Sequence, residues 1–245
     1  MNVEQFSNEF DTLLNSFSKS LSFGEDESFA DIRVDEYEKS VFLTKAQKEL
    51  VIDYYSGQNA YNLSFEEKEI IREALDALVQ TITPDPIGDI PSSKHLIDDK
   101  RKMYFYRLPA NLLYIVFEEV KFSSYLSGCK GNMNALVVPT THDEAWHKLQ
   151  NPFRGPSGKR VLRLNAENDI VELISDYPIG SYLLRYVEEP KPIILTDLPD
   201  GLSIDGISTK TECALPAILH HKILDVAVRM ALQSKSITLG TSSKS

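Results

Sequence analysis

The first third of the chain shows the spacing of three and four residues between apolar side chains that is typical of amphipathic helices. One stripe starts at Val3, and a second covers 36–56, just before Gly57, a residue type that commonly ends helices. A third stripe reaches Ile82 and stops before Pro84. The pattern therefore predicts three consecutive helices at the N-terminus.

Two of the predicted helices carry a capping box, in which two side chains each bind the backbone N–H of the other residue. Ser64 and Glu67 have this spacing at the start of the third helix. Thr141 and Glu144 have it at the start of a short helix that runs to Leu149. Thr44 with Gln47 offers a later start for the second helix.

Beyond residue 101 the apolar runs shorten to strand length and become rich in aromatic and β-branched residues. We expect strands at 102–108, 112–122, 134–139, 160–165, 169–175 and 181–187. Short turn-forming segments separate the last three, so they are predicted to form an antiparallel meander.

The last predicted helix starts at Pro216 and continues to Ser234. Only a narrow polar stripe interrupts its apolar surface, so the helix must be covered on more than one side. It is either the centre of the fold or a surface shared between subunits. The side chains proposed for such a shared surface are Leu219, Ile223, Val226 and Met230.

These elements predict an α+β fold with an N-terminal helical layer, a central antiparallel β layer of about six strands, and a C-terminal helix packing back on the helices. We divide the chain into a helical region at 1–83, a proline-rich connector at 84–101, a β region with one short helix at 102–210, and a C-terminal helix and tail at 211–245. The four regions are expected to form one cooperative unit.

Charge is concentrated near the N-terminus. The 245 residues carry a formal net charge of −10, and the first forty contain ten acidic and three basic residues. Such a segment is either a solvated face or a docking surface for a basic neighbour, with Glu25, Asp26 and Glu27 as its densest part. The acidic balance argues against a general nucleic-acid binder.

Other features narrow the class of protein further. No run of about 18 apolar residues exists, and acids stand where a signal peptide would carry basic residues, so secretion and membrane spanning are not expected. Two cysteines are too few for a disulfide framework and fit a reducing cytosol.

A basic loop follows the predicted short helix. Its cations are Arg154, Lys159, Arg160 and Arg163, with glycines and prolines shaping the backbone between them. The loop is either a solvated hairpin entry or a contact to an acidic neighbour or to DNA phosphates. The acidic first forty residues of an adjacent copy are one such neighbour. The sequence is no phosphate-binding P-loop, because Phe153 and Arg160 replace required residue types.

Candidate catalytic chemistry is sparse. His142, Asp143, Glu144 and His147 lie close together, but the two histidines are five residues apart and so do not share one helix face. Nucleophile-elbow, C-x-x-C and Rossmann motifs are absent from the sequence. We therefore predict no catalytic residues, no metal and no cofactor, which favours a structural or interaction protein.

Several segments resemble the structural proteins of crAss-like tailed bacteriophages, the type found in the head-to-tail connector and tail rings. They are EYEKSVFLTKAQKELVIDYY (36–55), NPFRGPSGKRVLRL (151–164), YVEEPKPIILTDL (186–198), LSIDG (202–206) and TECALPAILHHKILDVAVRMAL (211–232). The resemblance spans most of the chain, and none of these motifs is catalytic.

The resemblance implies a virion protein, made in the host cytoplasm, that forms a closed homo-oligomeric ring. By analogy with portals and adaptors, the ring has twelve subunits, contacts the portal protein and neighbouring tail rings, and surrounds dsDNA without reading its sequence. No membrane partner is implied.

Three alternatives stay open. The chain can be a more distal tail ring or a tube-terminating protein, because the sequence does not fix a position along the tail. It can also be a hydrolase that uses His142, Asp143 or Glu144, or a monomeric host-directed binding module.

Overall fold

The computed structural model describes residues 1–21, 33–57, 65, 69–87, 101–123, 133–166 and 169–242. The proposed capping box of Ser64 and Glu67 and the acidic residues Glu25, Asp26 and Glu27 lie outside these ranges.

The chain separates into two compact units. One contains Met1–Leu78 together with Glu189–Ser245, and the other is Val79–Glu188. The first unit holds the helices α1 (Val3–Leu21), α2 (Glu36–Ser56), α3 (Glu69–Leu75) and α5 (Ala217–Ser242), with a 3-10 turn at Asp76–Leu78. The second holds the strands and α4 (His142–Gln150).

The ends of α2 are set by local chemistry. Asp35 is its N-cap: its carboxylate accepts from the backbone N–H of Glu38 at 2.7 Å, while the Glu38 carboxylate accepts from the backbone N–H of Asp35. Gly57 closes the helix with φ 83°, in the left-handed region that glycine adopts without strain. The predicted range of 36–56 is confirmed, and Thr44 and Gln47 do not start the helix.

The core of the first unit lies between α1, α2 and α5. Helix α5 packs on both α1 and α2, which confirms the prediction that the C-terminal helix folds back on the N-terminal ones. The buried face of α2 also carries polar groups. The hydroxyls of Ser40 and Thr44 accept from the backbone N–H groups of Leu195 and Ile193 at 3.0 and 3.1 Å, so they hold an extended segment of the same unit.

The second unit is a curled sheet of seven strands: β1 (Val79–Ile82), β2 (Lys102–Arg107), β3 (Leu112–Phe122), β4 (Asn134–Pro139), β5 (Arg160–Asn165), β6 (Ile170–Ser175) and β7 (Ile179–Glu188). Their order is β1-β7-β3-β4-β5-β6-β2. All neighbours are antiparallel except β4 and β5, which α4 connects as a crossover. After β1 the chain reaches the other edge, where the N–H of Ile87 donates to the carbonyl of Phe105 at 2.8 Å.

The six predicted strands are confirmed, and β1 is a seventh. The prediction of a helix through Ile82 was wrong, because the chain leaves the helix after Leu78 and pairs with β7. Val79, Thr81 and Ile82 are β-branched, a type that loses side-chain freedom in a helix and packs well in a sheet.

The predicted three-strand meander was also wrong. Strands β5 and β6 pair as expected, but β2 takes the other edge of β6 over its full length, from Lys102 opposite Ser175 to Arg107 opposite Ile170. Strand β7 therefore pairs with β3 and β1.

Helix α5 begins just after Pro216 and continues past the predicted end at Ser234 to Ser242. Within the described residues, no helix combines the length and the apolar character that a membrane span requires.

Candidate functional site

The basic loop is a fixed structure between α4 and β5. The carbonyl of Asn151 accepts from the backbone N–H groups of Arg154 and Gly155 at 3.1 and 2.8 Å. The guanidinium of Arg160 then donates to the carbonyl of Phe153 at 2.8 Å, which closes the loop across its base.

Gly155 has a steric reason to be glycine. A Cβ atom at this position would lie 3.1 Å from the carbonyl oxygens of both Lys148 and Asn151, closer than an ordinary van der Waals contact. The chain passes this close to the end of α4 only because the side chain is missing.

Apolar side chains are exposed beside the loop cations. Phe153 is 86 % exposed, and Leu136 on β4 is also exposed. Leu136 lies opposite Arg160 in the β4–β5 register, so the two side chains leave the sheet on the same face. We call Leu136, Phe153, Arg154, Lys159 and Arg160 the basic-aromatic patch.

Arg163 lies apart from this patch. Its Nε atom is 3.2 Å from a carboxylate oxygen of Glu118, and the two side chains are only 11 % and 5 % exposed. Tyr182 donates to the other oxygen of Glu118 at 2.5 Å. Arg163, one of the predicted interface residues, is therefore paired with Glu118 within the sheet.

Burial is the main influence on the Glu118 carboxyl and raises its pKa, against the opposing effects of the Arg163 guanidinium and the Tyr182 hydroxyl. Burial likewise raises the pKa of Tyr182, with a further increase from the neighbouring Glu118 charge. The group is a buried polar network whose members depend on one another.

Part of the acidic N-terminal charge is used within the first unit. The ammonium group of Lys39, only 4 % exposed, lies 2.7 Å from Asp11 and 2.8 Å from Glu36. Burial lowers the pKa of Lys39, but the bonds to the two carboxylates outweigh it, so the pKa is raised. Lys235 pairs with Glu38 at 2.7 Å. These acids tie α1, α2 and α5 together.

The four residues proposed on α5 differ in exposure. Leu219 is 2 % exposed and Ile223 is fully buried within the subunit, whereas Val226 and Met230 are half-buried. Burial between α5, α1 and α2 explains the apolar character of Leu219 and Ile223 without a second chain. Ile218 instead faces outward and is 72 % exposed.

His220 on α5 has both ring nitrogens engaged. The N-terminal ammonium of Met1 donates to Nδ1 at 2.8 Å, and Nε2 lies 2.9 Å from the carbonyl of Leu215. These partners assign the neutral ring with its proton on Nε2. Burial is the main cause that lowers the pKa of His220.

The residues of the hydrolase alternative occupy the first turn of α4. Thr141 caps that turn, because its hydroxyl accepts from the backbone N–H of Glu144 at 3.4 Å; this is one half of the predicted capping box. His142 Nε2 is 2.8 Å from the carbonyl of Asn165, and Glu144 forms an ion pair with Lys148 at 2.8 Å. Among the described residues, no group of three His, Cys, Asp or Glu side chains is arranged to hold a metal ion.

Sequence reasoning missed Glu118, Leu136 and Phe153. Glu118 stands in a long strand where only a buried partner reveals its role, and Leu136 reads as one more apolar strand residue. Phe153 was recognisable, because an aromatic residue inside a basic loop of glycine and proline has no core to enter.

Comparison with known proteins identifies the family of this chain. The model of the family described as phage tail ring protein 3/4 of crAss-like phages matches residues 1–243. "Ring protein 3" of Bacteroides phage crAss001 is 43 % identical over 243 residues, covering 98 % of this chain and 99 % of that protein. "Ring protein 4/5" of the same phage is 32 % identical over 240 residues, covering 94 % and 92 %. This chain therefore belongs to the crAss-like phage tail ring protein 3/4 family.

Proposed function

We propose that the chain is a non-enzymatic structural subunit that assembles with copies of itself into a closed ring of the phage tail. The observation that carries this proposal is the match over nearly the full length to a protein named Ring protein 3. The similarity extends across both compact units of the chain.

The position proposed for the ring is the head-to-tail connector. There it stacks against the portal protein and surrounds the channel for dsDNA. Twelve subunits would match portals and adaptors of that symmetry. A net charge of −10 on each subunit suits a conduit, because a strongly basic lumen would hold phosphates and slow the passage of DNA.

A more distal ring is the second candidate, and one observation favours it. Two proteins of the same phage, with different ring names, are both similar to this chain. A phage that contains several related ring proteins can stack them, and only one ring of a stack contacts the portal directly.

A closed ring needs two different surfaces on each subunit. Rotation about the ring axis brings one surface of a subunit against another surface of its neighbour, so the two must be complementary in shape and charge. The proposed surfaces are the basic loop, the acidic residues Glu25, Asp26 and Glu27, and the half-buried Val226 and Met230.

Electron microscopy of the purified chain, alone and mixed with its cognate portal, tests the proposal. End-on views that show a stacked ring with the symmetry of the portal would support the connector position. Rings that leave the portal bare would favour the distal position. Monomers in both samples would contradict ring formation.

Substitution of the α4 residues separates this proposal from the hydrolase alternative. The variant with His142→Ala, Asp143→Ala and Glu144→Ala should assemble like the unmodified chain. Loss of a hydrolytic activity in this variant, with assembly intact, would contradict the non-enzymatic role.

A further inference from the structure

We infer that the basic-aromatic patch is one half of the contact between neighbouring subunits, and that it receives the acidic segment 23–31 of a second copy of this chain. The inference rests on the proposed ring and names the two surfaces that meet in it.

The patch has the chemistry of a protein contact. It places the cations Arg154, Lys159 and Arg160 around two exposed apolar side chains, Leu136 and Phe153. Phosphate groups of DNA would use the cations but offer no apolar partner for a phenyl ring. A protein segment that carries apolar side chains next to acidic ones matches both the exposed apolar side chains and the charges of the patch.

The chain itself contains such a partner. The sequence FGEDESFAD, at 23–31, has three consecutive acids bracketed by Phe23 and Phe29, and a fourth acid at Asp31. Its charge is opposite to that of the patch, and its two phenylalanines match the two exposed apolar side chains. A partner with this composition lets charge steer the encounter while apolar contact adds stability.

The patch is already arranged for binding. The backbone N–H groups of Arg154 and Gly155 donate to the carbonyl of Asn151, and Arg160 donates to the carbonyl of Phe153, so the loop is fixed before any partner arrives. Less conformational freedom is therefore lost when the second copy binds.

Other acids near the N-terminus are poorer candidates. Asp11 and Glu36 are bound to Lys39, and Glu38 is bound to Lys235, so their charges are already paired within the subunit. Glu25, Asp26 and Glu27 form the densest run of acids in the chain.

Isotope-mixed cross-linking tests which copy supplies the acidic segment. Equal amounts of ¹⁴N and ¹⁵N protein are assembled and treated with a carbodiimide, which joins a lysine amine to a carboxylate. Linked peptides are then read by mass spectrometry. Peptides that join Lys159 to Glu25, Asp26 or Glu27 with one light and one heavy partner are expected.

The other possible results of the cross-linking experiment distinguish failure of the inference from failure of the proposed function. Links in which both peptides always carry the same isotope would show that the segment folds on its own chain, and would overturn the inference. Rings without any such link would overturn the inference and leave the proposed function intact. Absence of both rings and links would overturn both.

A charge exchange provides an independent test. Arg154→Glu with Lys159→Glu should raise the concentration needed for ring formation by about tenfold, which corresponds to about 1.4 kcal/mol. Glu25→Lys with Glu27→Lys should do the same. Combining all four substitutions should recover most of the loss, because opposite charges again face each other.

Lys102→Glu with Arg107→Glu is the matched control, since both residues are exposed on β2 in the same compact unit. Because this control adds the same negative charge as Arg154→Glu with Lys159→Glu, it should lose much less assembly than that variant if the patch itself is the contact, and circular dichroism should show that every variant is folded. A failure of the fourfold variant to recover assembly would overturn the pairing. Reduced DNA binding with unchanged rings in the Arg154→Glu, Lys159→Glu variant would assign the patch to DNA instead.

Discussion

The charge of Arg163 belongs to the core of the sheet and not to the surface, because Glu118 pairs with it there. The two side chains pair inside the sheet, and Tyr182 completes the group. Removing the cation would leave a buried carboxylate without its counter-charge, which typically costs about 3–5 kcal/mol. We expect Arg163→Met to lower the free energy of unfolding by that amount near neutral pH, as measured by chemical denaturation.

The pH dependence of this variant follows from the Glu118 carboxyl. Its pKa is raised in the folded protein, so its contribution to stability is fully present below the unfolded pKa and is lost as pH rises through the folded one. Without Arg163 the carboxyl takes up a proton still more readily, so the stability difference from the unmodified protein should shrink in acid. The double variant Glu118→Gln with Arg163→Met should be more stable than Arg163→Met alone; equal stabilities would contradict a buried ion pair.

Gly155 fixes the shape of the basic loop through close packing. Gly155→Ala should lower the free energy of unfolding by about 1–3 kcal/mol, because the added Cβ meets the carbonyl oxygens of Lys148 and Asn151 at 3.1 Å. Thermal denaturation would measure the effect. Gly201→Ala is an informative comparison, since its Cβ meets nothing within 4 Å but its φ is +90°. A loss at Gly201 alone would show that backbone conformation matters and crowding at Gly155 does not.

His220 gives the first unit a pH response. Because folding lowers the pKa of His220, its ring takes up a proton at a higher pH in the unfolded chain than in the folded chain. The free energy of unfolding should therefore fall as pH drops below the ordinary histidine value of about 6.5, until the folded ring also titrates. Denaturant midpoints at several pH values would measure this fall. The slope should be reduced in His220→Gln, and an equal slope in this variant and the unmodified chain would show that His220 is not the source of the response.

At the scale of elements, two neighbouring residues on α5 allow a core position to be compared with a surface position. Leu219 is 2 % exposed and Ile218 is 72 % exposed. Leu219→Ala should cost about 2–5 kcal/mol of stability because it leaves a cavity in the core of the subunit, whereas Ile218→Ala should stay within about 0.5 kcal/mol. Denaturation of the isolated subunit would give both values. Equal losses at the two positions would contradict the packing of α5 against α1 and α2.

Prediction of helices and strands from the sequence succeeded where nearby residues in the chain determine the element. It failed where pairing with a distant strand determines it. The range of α2 follows from its capping box and Gly57, and α4 follows from its Thr141 cap. Strand β1 was missed because its residues also fit a helical stripe, and only pairing with β7 settles the matter. Strand order was missed for the same reason, since no local signal tells that β2 takes the edge of β6.

The same distinction applies to the residues of the candidate site. Composition was enough to identify a basic loop and an acidic segment, because charge can be counted along the chain. It was not enough to remove Arg163 from the loop, since Glu118 is distant in sequence and meets it only in the folded sheet. The same holds for Leu136, which reaches the loop through the β4–β5 register.

At the scale of the whole molecule, ring formation must balance two electrostatic effects. Each subunit of this tail ring protein carries a net charge of −10, so copies repel one another over long distances. The proposed contact between the basic-aromatic patch and the acidic segment attracts at short range. Salt weakens both, but it acts first on charges that are separated by more than the screening length, about 10 Å at 0.1 M.

Ring formation should therefore respond to salt in two phases. Assembly should strengthen as salt rises from low values to about 0.1 M, because long-range repulsion is screened, and weaken again toward about 1 M as contact pairs are screened too. The Arg154→Glu, Lys159→Glu variant has lost the attraction, so salt should only strengthen its assembly. Light scattering across a salt series would follow both proteins, with Lys102→Glu, Arg107→Glu as the charge-matched control. If the unmodified chain and the patch variant respond alike, attraction at the patch does not contribute to the ring.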